Sequence, residues 1–341
     1  MPEPLWIYLM ALLYFTRLTT CSAMADAFDS ASHDQLTRML QGTWSGHTLL
    51  DLALRVLFAV AGGYLIVDDT VVAKPAARLL GEAAWVWSNK DRKVLFGVSV
   101  VLLIWTDGQH RVPLAFRVWH KGGVSKYDLA LELLSYARNR LKCKPQFVLF
   151  DSWYPSKKLL KRIRDYGWYF VCQLKQTRVF DGWALRYYKQ QPYWHAVGSL
   201  RGGLKVFVVR YRRKYYATNR LTLTATEVRT LYRKRHEIEE VIKVLKSQLG
   251  LEGCQVGYKR LLADQPYPQD GAQTHHIALC LVAYLIVERE RLDQHCTWRQ
   301  LKRRLIFQGS RVALPALERV RAAAYLLLAS TAPAQHRLRG V

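Results

Sequence analysis

The segment YRKRHEIEEVIKVLK spans residues 232–246 and lies within a longer run, residues 224–249, that predicts one helix. Thr224 and Glu227 have the spacing of a capping box, and Gly250 stands where a helix would end. No proline or glycine interrupts the run. The helical period gathers one apolar stripe, which we expect to be buried. Its members are Leu231, Ile238, Ile242, Leu245 and Leu249.

A polar strip runs beside the apolar stripe, at the edge of the face that should be buried. Four residues fall within about 60° of one another on it: Tyr232, Arg235, Glu239 and Lys246. The same period turns Glu237 and Glu240 away, so geometry singles out Glu239 from three nearby carboxylates. A solvated helix edge with an Arg235–Glu239 ion pair is an alternative that would explain any one of these four residues. It accounts poorly for the presence of all four at this spacing.

That spacing, Tyr-x2-Arg-x3-Glu-x6-Lys, resembles the signature of a large group of DDE transposases from bacterial insertion sequences. The resemblance implies that Glu239 is the catalytic glutamate. It also implies that Tyr232, Arg235 and Lys246 bind DNA phosphates beside the site. The resemblance covers this helix only, so the two catalytic aspartates must come from elsewhere in the chain.

The composition indicates a polyanionic partner. Among 341 residues, Lys and Arg number 51 and Asp and Glu 26, which gives a net charge of +25. The basic residues are spread along the chain and interleaved with Tyr and Trp, which suits a long nucleic-acid surface better than a detachable tail. A protein kept soluble by excess charge is the plainer alternative. A polybasic membrane-surface protein would need an anchor, and the sequence offers none.

Cysteine usage and hydropathy favour a reducing compartment with no membrane partner, and the resemblance implies that this is the cytoplasm of a bacterium, near the nucleoid. The six cysteines form no C-x-x-C pair and no zinc spacing, as expected in a reducing compartment. The apolar stretch 5–15 lacks a preceding basic region and is too short to span a bilayer. It predicts a helix packed into the domain. His275 and His276 are adjacent, cannot share a helix face, and are interpreted as structural.

The order of predicted elements is that of an RNase H-like α/β domain, a mixed sheet flanked by helices. Strands are predicted at 64–70, 94–105, 112–119, 147–151 and 168–174, and helices at 127–141 and 156–166. Asp68 and Asp151 end the first and fourth of these strands, which lie side by side in such a fold. Asp69 points to the opposite face of its strand. Family first motifs commonly read Asp-x-Thr, which favours Asp68 over Asp69 without deciding between them.

The predicted domain organisation has four parts. Residues 1–58 form a helical region that is either a candidate DNA-binding region or packing for the core. Residues 59–174 form the first part of the catalytic domain and 224–330 the second part with C-terminal helices. Residues 175–223 alternate in a way that predicts a β-rich insertion before the glutamate helix, as such transposases commonly have. Relatives often use a tryptophan of this insertion to hold a flipped base; Trp183 and Trp194 are the candidates, with Trp194 preferred.

The acids have the chemistry that phosphodiester transfer requires. Three carboxylates suit two Mg²⁺ ions, with Mn²⁺ as a substitute, since these ions prefer oxygen ligands. Asp68 would bridge the ions, Asp151 would hold one and Glu239 the other. The sequence therefore predicts a cut-and-paste transposase that binds double-stranded DNA, both inverted-repeat ends and target, as a homodimer. The alternatives are another RNase H-like nuclease or resolvase, and a non-catalytic DNA-binding derivative of a transposase.

Overall fold

The computed structural model describes residues 3–16, 20–75, 77, 80–88, 91–188, 191–257 and 271–331. The helices are α1 (Glu3–Tyr14), α2 (Cys21–Ala27), α3 (His33–Leu40), α4 (Gly46–Leu57), α5 (Lys126–Asn139), α6 (Lys157–Asp165), α7 (Ala225–Arg233), α8 (His236–Gln248), α9 (Ala272–Asp293), α10 (Trp298–Gln308) and α11 (Pro315–Thr331). The strands are β1 (Tyr64–Ala73), β2 (Ala84–Ser88), β3 (Lys93–Thr106), β4 (Arg111–Trp119), β5 (Phe147–Phe150), β6 (Tyr169–Leu174), β7 (Val179–Phe180), β8 (Trp183–Ala184), β9 (Tyr193–Leu200), β10 (Leu204–Tyr211) and β11 (Lys214–Thr218).

The chain divides into two compact units. One consists of residues 60–75 and 82–244 and contains the strands, and the other consists of residues 1–59, 76–81 and 245–341. This division differs from the predicted domains, because the C-terminal helices group with the N-terminal ones instead of with the sheet. The chain passes from the first unit to the second within α8. Among the described residues, no helix combines the length and the apolar character that crossing a membrane requires.

The sheet unit is a mixed sheet with the predicted order at its centre. Its strand order is β2-β3-β1-β5-β6-β11-β10-β9-β7-β8, and β4 pairs with β3. β1 pairs with β5 in parallel, and β5 pairs with β6 in parallel. The other strand pairs are antiparallel. β5 is buried throughout, as a parallel strand covered on both faces should be, and β1 is buried on half of its length. The prediction that the first and fourth strands lie side by side is confirmed.

The segment 175–223 forms β7 to β11, as the alternating pattern predicts. β11 pairs with β6, so the insertion continues the central sheet instead of forming a separate one. Its other strands follow outward through β10 and β9. The sequence does not show this continuity, because alternation identifies a strand without identifying the edge to which it pairs.

The helical unit is built around α9, which is buried on nearly all sides from Ala272 to Val287. α4 packs closely against it: a Cβ on Gly46 would lie 2.8 Å from the Cβ of Ala278, so only glycine fits there. His275 stacks on Trp44 at 4.1 Å and its ring nitrogens lie near backbone carbonyls. His276 lies 2.9 Å from the Tyr8 hydroxyl. Both histidines are thus held by core contacts, in agreement with a structural role.

The prediction of one continuous helix over 224–249 is wrong, because α7 ends at Arg233 and α8 begins at His236. The expected capping box of Thr224 and Glu227 is present at the start of α7. At the junction, the amides of Lys234 and Arg235 bond to carbonyls three residues back, which tightens the turn without proline or glycine. Of the predicted stripe, Ile238, Leu245 and Leu249 are buried, whereas Leu231 and Ile242 are half-buried and Val241, outside the stripe, is buried.

Candidate active site

Two aspartates come together where the parallel pairing of β1 and β5 ends. The last paired residues are Val67 and Phe150, so Asp68 and Asp151 are the next residues along the two strands. β1 itself does not end at Asp68 as expected, because its antiparallel pairing with β3 continues to Ala73. The Asp151 carboxylate accepts a hydrogen bond from the backbone amide of Trp153 at 2.8 Å. The two carboxyl groups therefore share one edge of the parallel part of the sheet.

Asp69 is held on the opposite face of β1. Its carboxylate pairs with the Lys126 ammonium at 2.5 Å and accepts a hydrogen bond from the Tyr154 hydroxyl at 3.0 Å. These partners come from α5 and from the turn after β5. Asp69 is thus engaged by Lys126 and Tyr154, while its charge still acts on both Asp68 and Asp151.

Arg235 joins the third acid to the first. Its guanidinium donates to Asp68 at 2.6 Å and also pairs with the Glu239 carboxylate. His236 lies 2.8 Å from the other oxygen of Glu239. Arg235 lies at the junction between α7 and α8. The two other glutamates of the segment point elsewhere: Glu237 pairs with Arg111, and Glu240 lies near His236 and Lys243.

The site is electrostatically under-compensated. Burial is the largest cause that raises the pKa of Asp68, and the charges of Asp151 and Asp69 act in the same direction. The attraction of Arg235 opposes them, and together these effects bring the pKa to about 7. Burial also raises the pKa of Asp151, although a hydrogen bond from Trp153 and the charge of Arg235 oppose this. Clustered carboxyl groups with raised pKa values are typical of functional sites, where a cation is the usual remedy.

The residues fit a divalent cation by type. Asp68, Asp151 and Glu239 offer the hard oxygen ligands that such ions prefer. Among the described residues, however, no three acidic, histidine or cysteine side chains already form a ligand set. One guanidinium, that of Arg235, bridges two of the three acids.

The other members of the predicted strip have separate partners. The Tyr232 hydroxyl lies 3.3 Å from the side-chain oxygen of Gln173, and its ring lies 5.9 Å from the Arg235 guanidinium. Lys246 belongs to the helical unit and pairs with Glu252 at 2.9 Å. The role of these side chains in binding phosphates stays a prediction.

The tryptophans of the insertion differ in packing. Trp194 is half-buried, with its ring packed on those of Phe180 and Tyr188. Trp183 is 66 % exposed. The assignment of Trp194 to base stacking stays a prediction. Trp153 follows Asp151 by two residues, and its backbone amide donates to the Asp151 carboxylate.

The sheet unit is a mixed sheet flanked by helices, with two acids on adjacent parallel strands and a third on a flanking helix, as expected of an RNase H-like domain. The family model of the transposase DDE domain matches residues 62–259, more than half of the chain, and the chain belongs to this family. As a member of it, the chain is a DNA transposase, an enzyme of transposition and DNA recombination. No curated protein matches the sequence.

The cryo-EM structure of piggyBac transposase in a synaptic complex with hairpin DNA is similar to this chain. The TM-score is 0.55 and the sequence identity 11 %, and the match covers 98 % of this chain and 73 % of the other. At this identity the likeness shows a common fold, and it supports the RNase H-like architecture of the sheet unit.

Proposed function

We propose that this protein is a cut-and-paste transposase of a bacterial insertion sequence, which cleaves DNA at the ends of the element and joins them to target DNA. The observation that carries the proposal is the meeting of Asp68 with Asp151 and, through Arg235, with Glu239. The Tyr-Arg-Glu-Lys spacing supports the insertion-sequence assignment. A bacterial cytoplasmic location near the nucleoid is part of the same proposal.

In this proposal, Asp68, Asp151 and Glu239 hold two Mg²⁺ ions, or Mn²⁺ in their place. Such ions activate the attacking oxygen and stabilise the leaving oxygen of a phosphodiester when bound. Asp68 must be deprotonated to bind a cation, which its raised pKa makes sensitive to pH near neutrality. Lys126 and Tyr154 already engage the Asp69 carboxylate, which favours Asp68 over Asp69 as the first catalytic acid.

The Arg235 guanidinium neutralises Asp68 and Glu239. If those acids held cations, the same planar fork would be free to bind a phosphate, in the bidentate manner in which it binds a carboxylate. Arg235 would thus hold the DNA backbone beside the scissile bond, together with Tyr232 and Lys246.

The partners follow from charge and from the reaction. A net charge of +25 supports binding of double-stranded DNA, both the inverted-repeat ends and the target. The similar solved structure is a transposase–DNA synaptic complex, which supports the same substrate class. Because two ends must be held together before they are joined, we propose that the active form is a homodimer.

The test is metal-dependent cleavage of a supercoiled plasmid that carries the genomic DNA flanking the protein's own reading frame. Wild-type protein should cut it with Mg²⁺ or Mn²⁺ and not with EDTA. Asp151→Ala and Glu239→Ala should abolish cutting while gel-shift binding persists, since loss of a carboxylate does not weaken attraction to phosphates. Glu240→Ala, which changes an adjacent exposed glutamate, is the matched control and should cut normally.

The same assay distinguishes the alternatives. A non-catalytic derivative would bind the DNA and leave it uncut under every condition. A general RNase H-like nuclease or resolvase would cut without preference for the flanking segments or would fail to join the released ends. Near wild-type cleavage by either acid variant would remove that residue from the catalytic set.

A further inference from the structure

The hairpin of β2 and β3 carries an exposed apolar face in the sheet unit. Trp85 is 71 % exposed, Trp87 57 % and Val94 52 %. Trp85 lies opposite Phe96 across the hairpin, with 5.6 Å between the ring centroids, and Trp87 lies opposite Val94. Residues opposite each other in an antiparallel pair point to the same face, so these four side chains form one patch. Large apolar side chains grouped on a surface indicate a contact with another molecule.

β2 is also an edge strand, because in the part of the chain that the structure describes it pairs with β3 alone. Natural proteins protect such edges with proline or with charged side chains. β4 is another such edge strand and has both, since it contains Pro113 and two arginines, Arg111 and Arg117. β2 has the sequence AWVWS and contains neither. The outer edge of β2 is therefore suited to pair with a further strand.

A second copy of β2 fits this edge by symmetry. In an antiparallel pair with its twofold axis at Val86, Trp85 lies opposite Trp87 of the second copy, and the reverse holds for the other two indoles. Every residue of the strand, Ala84–Ser88, has a partner in this register. The four indoles then lie on one face and pack as cross-strand aromatic pairs.

The distribution of charge permits two copies to meet here, although each has a net charge of +25. The four side chains of the patch are uncharged, and the exposed basic residues Arg92 and Lys93 lie at the turn of the hairpin. Antiparallel pairing separates the two turns by the length of β2, roughly 17 Å. Repulsion over this distance is largely screened at physiological salt, where the screening length is about 8 Å. An uncharged patch is, by contrast, a poor match for the phosphates of DNA.

The size of the patch is that of a weak interface. A whole aromatic side chain buries roughly 150–250 Å², so the exposed parts of the two indoles and of Val94 offer roughly 250–400 Å² per copy. Two copies together would bury roughly 500–800 Å², which is below the about 1,200 Å² of a stable complex. A weak contact suffices when both copies are bound to the same DNA, because their local concentration is then high.

We propose that β2 pairs with β2 of a second copy of this chain, with Trp85 of each copy packed against Trp87 of the other. The inference rests on the proposed function for the need of a homodimer, and it identifies the surface through which the two copies meet. Pairing of two DNA ends then depends on a contact that one copy cannot form alone.

Disulfide trapping of the full chain at high protein concentration, without DNA or metal, tests the register. Residues directly opposite each other in an antiparallel pair have Cα atoms about 4.5–5.5 Å apart, within reach of a disulfide, whereas diagonal residues lie beyond about 7 Å. Under oxidation, a mixture of Trp85→Cys and Trp87→Cys proteins should form a linked dimer, and neither variant alone should. Wild-type protein controls for the native cysteines. Equal linkage in all preparations, or none in the mixture, would overturn the proposal.

Gel shifts in EDTA relate this contact to DNA. Two duplexes of different length, both from the DNA that flanks the reading frame, give an intermediate complex only when paired copies hold one of each. The double variant Trp85→Thr/Trp87→Thr retains residues suited to a strand and should weaken this complex by roughly 5- to 150-fold, the effect of losing two aromatic pairs. Its affinity for a single duplex should not change. Trp183→Thr, which changes a 66 % exposed tryptophan outside the patch, is the matched control and should behave as the wild type.

The outcomes separate this proposal from the proposed function. An intermediate complex that the double variant forms normally, or that Trp183→Thr loses equally, would overturn the interface. Weaker binding of the double variant to a single duplex would make the patch a DNA-binding surface, which also overturns it. Specific trapping of the cysteine mixture without metal-dependent cutting by wild-type protein would refute the catalytic assignment and keep the interface.

Discussion

Replacing Asp68 with Asn should make the metal-free protein more stable at alkaline pH. In the folded protein burial raises the pKa of Asp68 to about 7, whereas the ordinary value is 3.8. The unfolded chain therefore loses this proton at lower pH than the folded chain does. Between these two values the folded state binds more protons, so the free energy of unfolding falls as the pH rises. Below pH 3.8 Asp68 has no such effect, and above pH 7 the loss is complete.

The two pKa values differ by about 3, and each pKa unit corresponds to about 1.4 kcal/mol. The charged Asp68 side chain thus lowers the free energy of unfolding by up to about 4 kcal/mol at pH 8 and about 2 kcal/mol at pH 5. These are upper limits, because 17 % of the Asp68 side chain remains exposed to water. The attraction of Arg235 already enters the raised pKa, so the gain from Asp68→Asn needs no separate correction for that pair.

Urea denaturation in EDTA at the two pH values measures this gain directly. Asp68→Asn should be more stable than wild type, and more so at pH 8 than at pH 5. Asp69→Asn is the matched control: it weakens the pair with Lys126 and should lower stability. Adding Mg²⁺ should stabilise wild-type protein more than Asp68→Asn, since the variant lacks one of the ligands. A variant at position 68 that is no more stable than wild type at pH 8 would refute the picture of an under-compensated buried acid.

Two further outcomes are expected. Arg235→Ala and Lys246→Ala should each weaken binding to DNA ends at low salt and reduce the slope of log affinity against log salt by about 1; unchanged slopes in a salt titration would leave both as ordinary helix residues. Lys302→Met should remove the rise in the free energy of unfolding that wild-type protein shows as the pH increases from about 7 toward 10.5, because burial lowers the pKa of the Lys302 side chain to about 7 in the folded protein. The exposed neighbour Arg303→Met should keep this rise, and an equal pH dependence of the two variants in urea denaturation would contradict this account.

The sequence by itself determined the order of strands and helices and the positions of the acids. The short apolar runs that lead to Asp68 and Asp151 are recognisable as strands from the sequence pattern. When two such strands pair in parallel, the residues at their carboxyl ends lie at the same edge of the sheet. Helical spacing separated Glu239 from Glu237 and Glu240, because direction around a helix depends only on residue number. Local turn chemistry likewise located the cap at Thr224.

Only the tertiary structure shows which partners these side chains contact. The Asp69 carboxylate pairs with Lys126 and accepts a hydrogen bond from Tyr154, and both residues are distant from it in sequence. The break before α8 could not be predicted from helix propensity, because the junction between α7 and α8 contains no proline or glycine. A periodic pattern states which face of an element is apolar or charged, but long-range packing determines what covers it. A groove beside Trp153 is an example, because residues from α6, from the turn after β5 and from the insertion line it together.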